Sequence, residues 1–409
     1  MRFLPIQLML GLLLCSILPF IVLDWNITGT SIFRIKTSDL LISMILVFCT
    51  IVTLHNIRRF PGISASTYII PVLFFWFVLI LISVKLMVGA YSVTFLCLSA
   101  VTLLAYLFFI DIINRKNENY VFAYIPVGRA SNLPQQMPTV DWICLDNPKL
   151  SKPIHAIVTD LHSYDLTDEW ERFIADQTLK GIPVYHHRNI RESITGRVRI
   201  NHLYENDLGS LLPSENYIAL KRFLEVALII LSLPVTLPIM IITAILIKIE
   251  SPGPVLFIQQ RVGLGGKEFA IYKFRSMSKD SEKNGAKMAT EGDMRVTRVG
   301  RFIRKTRIDE LPQFWNIIKG DMSLIGPRPE QKVFVDQFDQ SIPFYNYRHI
   351  VKPGITGWAQ VTHGYAADED ETKVKVEHDF YYIKNFSFSL DLLIFFKTIH
   401  TMITGFGAR

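Results

Sequence analysis

The chain has 409 residues, enough for two or three domains, and half of them are hydrophobic, which is unusual for a soluble enzyme. Its four cysteines include no pair at the spacing of metal ligands, which argues against a disulfide framework and against a cysteine zinc site. The net charge of +7 suits a protein that lies against anionic lipid or handles phosphates, and it does not choose between the two.

The apolar residues are concentrated in blocks near the N-terminus. Four runs approach the length that spans a bilayer as a helix: Leu4 to Leu23, Leu40 to Leu54, Tyr68 to Val84 and Leu86 to Ile110. We predict four transmembrane helices in residues 1–115, the second being the shortest. A signal peptide is the alternative for the first run, but no convincing cleavage site follows it. Lysines and arginines in the loops favour a cytoplasmic N-terminus, which places everything after Ile113 in the cytoplasm.

Residues 116–212 predict a small α/β domain. The predicted strands are Val121 to Val127, Val140 to Leu145, Ile154 to Thr159 and Ile182 to Tyr185, with a helix over Thr167 to Gly181. This alternation predicts a parallel, Rossmann-like sheet. The first strand leads into Pro126-Val127-Gly128-Arg129 and not into a three-glycine loop. We therefore favour a structural or regulatory domain over a nucleotide-binding one.

Residues 213–409 form the third predicted domain, which begins with a fifth apolar run, Val226 to Ile247. This run carries Pro234 and Pro238, and proline kinks a helix because it removes a backbone hydrogen bond. We predict a proline-broken, re-entrant helix over residues 221–248 that enters and leaves the membrane by one face. A kinked helix that crosses the membrane is the alternative.

Shorter elements follow the membrane run. Two strands, Gly253 to Gln260 and Phe269 to Phe274, flank a glycine cluster that is typical of a hairpin turn. The polar stretch Ser276 to Gly292 predicts a mobile loop, and Val296 to Lys305 predicts a basic helix. The C-terminal segment Phe386 to Ile403 predicts a helix in the membrane interface, with packing into a soluble core as the alternative.

An acidic pair, Asp309 and Glu310, follows the basic run that ends at Arg307. Neighbouring cations favour the ionised form of a carboxyl group. We therefore predict that both carboxylates are ionised and act as metal ligands or nucleophiles. The alternative is an ordinary helix with a solvated, charged face.

From Lys221 to the C-terminus the order of motifs resembles the monotopic bacterial polyprenyl-phosphate phosphoglycosyl transferases. The stretches that carry the resemblance include SPGPVLFIQQRVGLGGKEFAIYKFRSM, RVTRVGRFIRKTRIDELPQFWNIIKGDMSLIGPRPE, VKPGITGWAQV and DFYYIKNFSFSLDLLIFF. The N-terminal helices and the α/β domain are similar to the long members of that family. One departure is Leu237-Pro238, where some members have Ser-Pro. The resemblance implies a mixed α/β membrane protein with a mainly helical catalytic domain.

The resemblance also implies an activity: transfer of a sugar phosphate from a nucleoside diphosphate sugar, usually a UDP-sugar, to undecaprenyl phosphate, with release of UMP. This would be the first membrane step of exopolysaccharide, capsule or O-antigen synthesis. In the family pattern Asp309 is the nucleophile of a ping-pong reaction, and Glu310 binds Mg²⁺ with it. The implied phosphate-binding residues are Arg304, Arg328, Arg301, Lys273 and Arg275. The implied structural prolines are Pro234, Pro238, Pro327 and Pro329.

The resemblance further implies contact with inner-membrane lipid and a homodimer, with no nucleic-acid partner. A membrane-anchored regulator or assembly protein that binds a nucleotide sugar without turning it over remains the alternative function. A transporter is disfavoured, because the membrane runs contain almost no charged residues. His349, His363 and His378 lie on different segments without ligand spacing, which favours structural roles for them.

Overall fold

The computed structural model describes residues 4–21, 37–61, 65–87, 91–116, 121–138, 140–150, 152–200, 213–277, 295–363 and 369–404. The chain forms two compact units, Met1–Gly196 and Arg197–Arg409. The first unit holds the N-terminal helices and the α/β sheet. The second holds the fifth apolar helix and the acidic pair.

Four apolar helices open the first unit: α1 (Leu4–Ile21), α2 (Thr37–Ile57), α3 (Ala65–Met87) and α4 (Val93–Lys116). Each is long and apolar enough to cross a membrane, which confirms the four predicted apolar helices. Hydrogen bonds from polar side chains connect these helices to one another. The Tyr106 hydroxyl of α4, for example, donates to the Gln7 carbonyl of α1 at 2.8 Å. With a fifth such helix in the second unit, the chain is a membrane protein.

A parallel four-stranded sheet follows, as predicted. Its strands are β1 (Val121–Tyr124), β2 (Asp141–Cys144), β3 (Ala156–Thr159) and β4 (Val184–His186), in the order β2-β1-β3-β4. The helices are α5 (Leu133–Gln136), α6 (Asp168–Leu179) and α7 (His187–Thr195). This order is that of flavodoxin-like doubly wound sheets and differs from the classic dinucleotide-binding order, so the Rossmann-like assignment stays a prediction.

All four residues of the central strand β3 are buried. Since side chains alternate along a strand, β3 is covered on both faces of the sheet. Ile157 packs on one face of the sheet with Phe173 of α6. Val158 packs on the other face with Ile190 of α7. The two helices therefore cover opposite faces of the sheet.

The second unit contains α8 (Glu215–Glu250), a single helix of 36 residues with Pro234 and Pro238 inside it. The helix continues through both prolines, and the break predicted at them is not confirmed. Hydroxyl groups bond to carbonyls beside these prolines, as from Thr236 to Ser232 at 3.1 Å. Apolar side chains in the middle of α8 are exposed, which suits contact with lipid: Ile230, Leu231, Val235, Leu237, Ile241 and Ile242. The re-entrant topology stays a prediction.

The remaining elements of this unit are short. Its strands are β5 (Leu256–Val262), β6 (Glu268–Phe274), β7 (Ser323–Ile325) and β8 (Gly354–Thr356). Its helices are α9 (Arg298–Lys305), α10 (Gln313–Lys319), α11 (Lys332–Ser341), α12 (Trp358–Thr362), α13 (Glu369–Lys384) and α14 (Phe388–Thr404). The predicted hairpin is confirmed as the antiparallel pair of β5 and β6. The loop predicted over Ser276 to Gly292 lies almost wholly outside the described residues.

Most of helix α14 packs inside the unit, which supports the alternative to an interfacial helix. Leu390, Leu393 and Ile394 are fully buried, while Phe395 and Ile399 are exposed. Asp391 of α14 is buried as well, with its carboxylate 2.6 Å from the Tyr217 hydroxyl of α8. The helix therefore supports the base of α8 from within the unit.

Close backbone contact between β7 and β8 requires glycine. The two strands are parallel, with Ser323 opposite Gly354. A Cβ atom built on Gly354 would lie 2.1 Å from the backbone nitrogen of Gly326 and 2.6 Å from the Thr356 carbonyl oxygen. Because the obstructing atoms are backbone, no side-chain movement can make room.

We expect Gly354→Ala to destabilise the protein by about 1–3 kcal/mol, the usual effect of overpacking, and to lower activity by displacing the loop after β7. Thermal inactivation in detergent measures the effect. Val333→Ala is the control, since the side chain of Val333 is 70% exposed. A Gly354→Ala protein as stable as the control would contradict this account.

Candidate active site

A strained turn presents the acidic pair. Helix α9 ends at Lys305, and Arg307 then adopts a left-handed conformation with φ of 57° before the 3-10 turn Ile308–Glu310. This conformation is uncommon for a residue with a side chain and costs about 1–2 kcal/mol. The bend takes the chain from α9 into α10 and places Asp309 and Glu310 at the turn between them. Backbone strain of this kind is found at functional sites.

Glu310 is buried and is surrounded by three cations. Its Oε1 lies 3.4 Å from Nζ of Lys273 and 3.3 Å from Nη1 of Arg328, and its Oε2 lies 3.3 Å from Nη1 of Arg307. Burial alone would raise the pKa of Glu310, but the charges of Lys273, Arg328 and Arg307 outweigh it and lower the pKa to about 2. Glu310 is therefore ionised at neutral pH, as predicted.

Asp309 is different. Its side chain is partly exposed, and within the described part of the chain its carboxylate makes no hydrogen bond or ion pair. Burial and the adjacent Glu310 charge raise its pKa to about 6, against the opposing charges of Lys273, Arg304 and Arg328. At Asp309, burial and the Glu310 charge thus outweigh the neighbouring cations. The carboxylate is still mostly ionised at neutral pH, and it is free to attack an electrophile.

A pH dependence follows from this pKa. If ionised Asp309 is the nucleophile, kcat/KM falls about tenfold per pH unit below about pH 6, because the protonated carboxyl group cannot attack. We expect Glu310→Gln to shift this acidic limb to lower pH, since the substitution removes a negative charge that raises the pKa of Asp309. The rate of the catalysed reaction, followed across pH, measures both profiles. An acidic limb at the same pH in the two proteins would contradict the assignment.

The Gly326-Pro327-Arg328-Pro329 loop brings Arg328 to Glu310, and buried charges hold the loop in place. Arg348 donates a hydrogen bond to the Arg328 carbonyl at 2.9 Å and pairs with Asp379 at 2.7 Å. Arg261 donates to the Pro329 carbonyl at 3.1 Å. The sequence analysis missed Arg348, Asp379 and Arg261, since residues so far apart in the chain carry no local signal. It also missed Arg307, whose contact with Glu310 depends on its left-handed backbone.

The other predicted site residues lie at varied positions. The charge of Arg304 acts on Asp309, whereas Arg301 is exposed on α9. Arg275 is buried and donates to the Pro252 carbonyl at 3.0 Å and to the Ser251 carbonyl at 2.8 Å. These contacts give Arg275 a structural role at the end of α8, so we leave it out of the phosphate-binding set.

The three histidines that the sequence analysis considered are structural, as it favoured. His349 is buried, and burial lowers its pKa to about 3. The fold brings two of them together, with the rings of His363 and His378 stacked 6.0 Å apart. His378 also lies 3.4 Å from the Thr362 hydroxyl. These contacts belong to the packing of α12 against α13.

The donor set at the acidic pair fits Mg²⁺. This ion binds proteins through one or two carboxylates and completes its shell with water and substrate phosphates. Asp309 offers an unpaired carboxylate, and Oε2 of Glu310 contacts only one cation, Arg307, among the described residues. Both side chains therefore have acceptor capacity left for a divalent ion.

Comparison with known proteins shows the family to which this chain belongs. The profile of the bacterial sugar transferases matches residues 216–405. An Aeromonas hydrophila protein named UDP-N-acetylgalactosamine-undecaprenyl-phosphate N-acetylgalactosaminephosphotransferase is 53% identical over 359 residues, covering 88% of this chain and 85% of its own. A Bacillus subtilis protein named putative undecaprenyl-phosphate N-acetylgalactosaminyl 1-phosphate transferase is 52% identical over 132 residues, covering 32% of this chain and 74% of its own.

More distant relatives carry the same chemistry in their names. The Escherichia coli UDP-glucose:undecaprenyl-phosphate glucose-1-phosphate transferase is 43% identical over 183 residues, covering 44% of this chain and 39% of its own. Since the A. hydrophila protein is matched over most of its length, the relationship extends beyond the catalytic unit. The chain belongs to the bacterial sugar transferase family. It is an enzyme, a polyprenyl-phosphate phosphoglycosyl transferase.

Proposed function

We propose that this enzyme transfers a sugar 1-phosphate from a UDP-sugar to undecaprenyl phosphate and releases UMP. The observation that carries the proposal is the Asp309 carboxylate, partly exposed and unpaired among the described residues, beside Glu310, which contacts three cations. The relatives named above are undecaprenyl-phosphate sugar phosphotransferases. A free carboxylate within a group of cations is suited to attack a phosphorus atom whose oxygens carry negative charge.

In the proposed first step, an oxygen of Asp309 attacks the phosphorus next to the sugar. An aspartyl oxygen–phosphorus bond forms, and the bond from that phosphorus to the bridging oxygen breaks, so that UMP leaves with the electron pair. In the second step, a phosphate oxygen of the lipid attacks the same phosphorus and displaces Asp309. Arg328 and Lys273 form ion pairs with Glu310. In the proposed reaction their positive charges also stabilise the phosphate oxygens.

Asp309 and Glu310 would hold Mg²⁺ in the proposed site. The ion supplies positive charge to the phosphate oxygens as charge develops on them. Arg304 is the protein cation best suited to the same task, since its charge acts on Asp309 and its guanidinium makes no hydrogen bond with other described residues.

We further propose N-acetylgalactosamine as the sugar of the donor. The names of the A. hydrophila and B. subtilis relatives, at 53% and 52% identity, both specify this sugar, whereas the E. coli relative at 43% is named for glucose. The product would be an undecaprenyl-diphosphate sugar, the starting lipid for exopolysaccharide, capsule or O-antigen synthesis. A Rhizobium leguminosarum relative, 37% identical over 194 residues, is named an exopolysaccharide production protein.

A donor panel tests the proposal. Purified protein in detergent is incubated with Mg²⁺, undecaprenyl phosphate and one of several radiolabelled UDP-sugars, including UDP-N-acetylgalactosamine, UDP-N-acetylglucosamine, UDP-glucose and UDP-galactose. We expect labelled lipid with UDP-N-acetylgalactosamine and far less with the others. Labelled lipid from UDP-glucose alone would overturn the sugar assignment but keep the reaction. No labelled lipid from any donor would overturn the reaction itself.

We propose in addition that α8 re-enters the membrane and that the catalytic unit lies on the cytoplasmic face of the inner membrane. Near the start of α8, Arg222 donates hydrogen bonds to the Ile317 and Ile318 carbonyls at the end of α10. At its other end, Glu250 accepts the N–H groups of Arg298 and Val299 at the start of α9, at 2.8 and 3.1 Å.

Both ends of α8 are thus tied to one unit, whose charged site lies in the chain between the two anchors. A straight helix of this length spans about 54 Å, and a crossing would put its ends on opposite sides of a core about 30 Å thick. The buried charges around Glu310 would then lie at membrane depth. A bent helix with both ends at one surface avoids this cost.

Cysteine labelling of intact spheroplasts and of inverted vesicles checks the topology. In a protein whose native cysteines are replaced by serine, we expect Glu215→Cys and Lys267→Cys to react with an impermeant maleimide in inverted vesicles only. Both positions are exposed, and they lie on either side of α8. Labelling of the two positions from opposite faces would refute the re-entrant form. The implied homodimer is a separate prediction, for which crosslinking is the direct measurement.

A further inference from the structure

Two histidines and an aspartate meet at the carboxyl edge of the parallel sheet in the first unit. Asp160 follows β3, His186 ends β4, and His187 begins α7. Nε2 of His186 lies 3.2 Å and Nδ1 of His187 lies 3.8 Å from Oδ1 of Asp160. One donor atom from each residue lies within 4.8 Å of the other two. Doubly wound sheets bind their ligands at this edge, where neighbouring strands send their connections to opposite faces.

His187 lacks the partners that a buried imidazole needs. Its side chain is only 3% exposed, and neither ring nitrogen has a hydrogen-bond partner within the described part of the chain. A buried polar group without a partner is costly and calls for a specific explanation, such as a bound ion.

Asp160 is held so that one oxygen faces the two rings. Its Oδ2 accepts the N–H of Arg129 at 3.1 Å. Gly128 has φ of 54°, and a Cβ atom there would lie 2.9 Å from the same oxygen, so only glycine lets the loop after β1 come this close. The other oxygen, Oδ1, accepts the backbone N–H of His162 at 3.4 Å and also faces His186 and His187. This arrangement is that of a metal ligand oriented by the groups behind it.

We propose that Asp160, His186 and His187 form a binding site for a divalent transition metal of the zinc class. Zinc takes imidazole nitrogens and carboxylate oxygens at about 2.0–2.2 Å in a tetrahedron, which places the donor atoms about 3.3 Å apart. Two of the separations, 3.2 and 3.8 Å, are close to this value. The ring of His162, with its centroid 5.1 Å from that of His186, lies beside the cluster. Water or His162 completes the coordination.

One contact has to change when the metal binds. Nδ1 of His186 accepts the N–H of Arg188 at 3.2 Å, so the proton of the neutral ring is on Nε2 and points to Asp160. Binding at Nε2 requires the other neutral tautomer, in which the single ring proton is on Nδ1, and this ends the bond from Arg188. The site therefore exchanges one hydrogen bond for a metal bond, with no net release of protons from His186.

Cobalt binding to the full-length protein tests the site. The protein is purified in detergent with a tag that lacks histidine, stripped with a chelator and titrated with Co²⁺, whose visible absorption distinguishes four-coordinate imidazole sites from the weakly absorbing six-coordinate carboxylate sites. We expect one equivalent of strongly absorbing Co²⁺, displaced by Zn²⁺. We expect Asp160→Asn and His187→Gln to weaken its binding about tenfold or more.

The matched control is His155→Gln. His155 lies in the same sheet but at the opposite edge, where its Nδ1 accepts the Val121 N–H. This variant should bind Co²⁺ like the wild type. Absence of the strongly absorbing species, or equal affinity in the three variants, would overturn the proposal. Since His187→Gln can disturb folding, X-ray absorption of the wild-type cobalt protein gives an independent result: two imidazole ligands support the site, and none refutes it.

Discussion

Asp309→Asn abolishes sugar-phosphate transfer, with an expected loss in kcat of about 10⁴-fold or more, the size seen when a covalent nucleophile is removed. Asparagine keeps the shape of the side chain and removes the negative charge that attacks phosphorus. Wild-type protein incubated with radiolabelled UDP-sugar and no lipid should carry a covalent label that is lost on adding undecaprenyl phosphate. The variant should carry none.

Two further variants serve as controls for the Asp309→Asn result. Asp336→Asn changes an exposed aspartate that pairs only with Lys332 among the described residues, so it should transfer at the wild-type rate. Glu310→Gln should be slow but should still form the labelled intermediate, because the nucleophile is intact. Covalent label on Asp309→Asn at the wild-type level would show that another residue attacks.

Arg348→Met destabilises the protein by about 3–5 kcal/mol, the typical effect of leaving one member of a buried ion pair behind. Arg348 and Asp379 are each only 2% exposed and lie 2.7 Å apart, and burial raises the pKa of Asp379 even against the charge of Arg348. The substitution also removes the donor to the Arg328 carbonyl. We therefore expect kcat/KM to fall about 100-fold as well, since Arg328 shifts relative to the acidic pair.

The double variant Arg348→Met with Asp379→Leu separates these two effects. Removing both charges should restore most of the stability, because an ion pair and well-packed apolar residues are often equivalent in a protein interior. Activity should stay low, since the Arg328 carbonyl still lacks its donor. Lys332→Met, which breaks an exposed pair, should change neither property. A double variant that regains full activity would show that Arg348 matters for folding alone.

Much of the fold could be predicted from the sequence because it depends on local patterns. Apolar runs marked the four N-terminal helices, and the alternation between Val121 and Tyr185 marked the parallel sheet. The glycine cluster marked the β5–β6 hairpin. The predicted membrane helix over residues 221–248 extends from Glu215 to Glu250, and the break predicted at Pro234 and Pro238 is not confirmed.

The candidate site was predicted only in outline. Motifs identified Asp309, Glu310 and Arg328, but the opposite pKa shifts of the two carboxylates come from burial, which local sequence does not reveal. The contact from Arg307 requires a backbone conformation that no propensity favours. The support from Arg348 and Asp379 joins segments far apart in the chain. Such long-range pairs are set by the tertiary fold.

The charges gathered at the acidic pair carry a consequence for the order of the substrates. Lys273, Arg304, Arg307 and Arg328 surround two carboxylates, which leaves a surplus of positive charge. In the proposed reaction, a bound sugar nucleotide brings a diphosphate of opposite sign, which offsets the surplus charge of these side chains and part of the charge of a bound Mg²⁺. The lipid phosphate is then no longer attracted until the departing nucleotide carries its own charge away. We therefore expect the two substrates to bind in turn at one shared site, and not together.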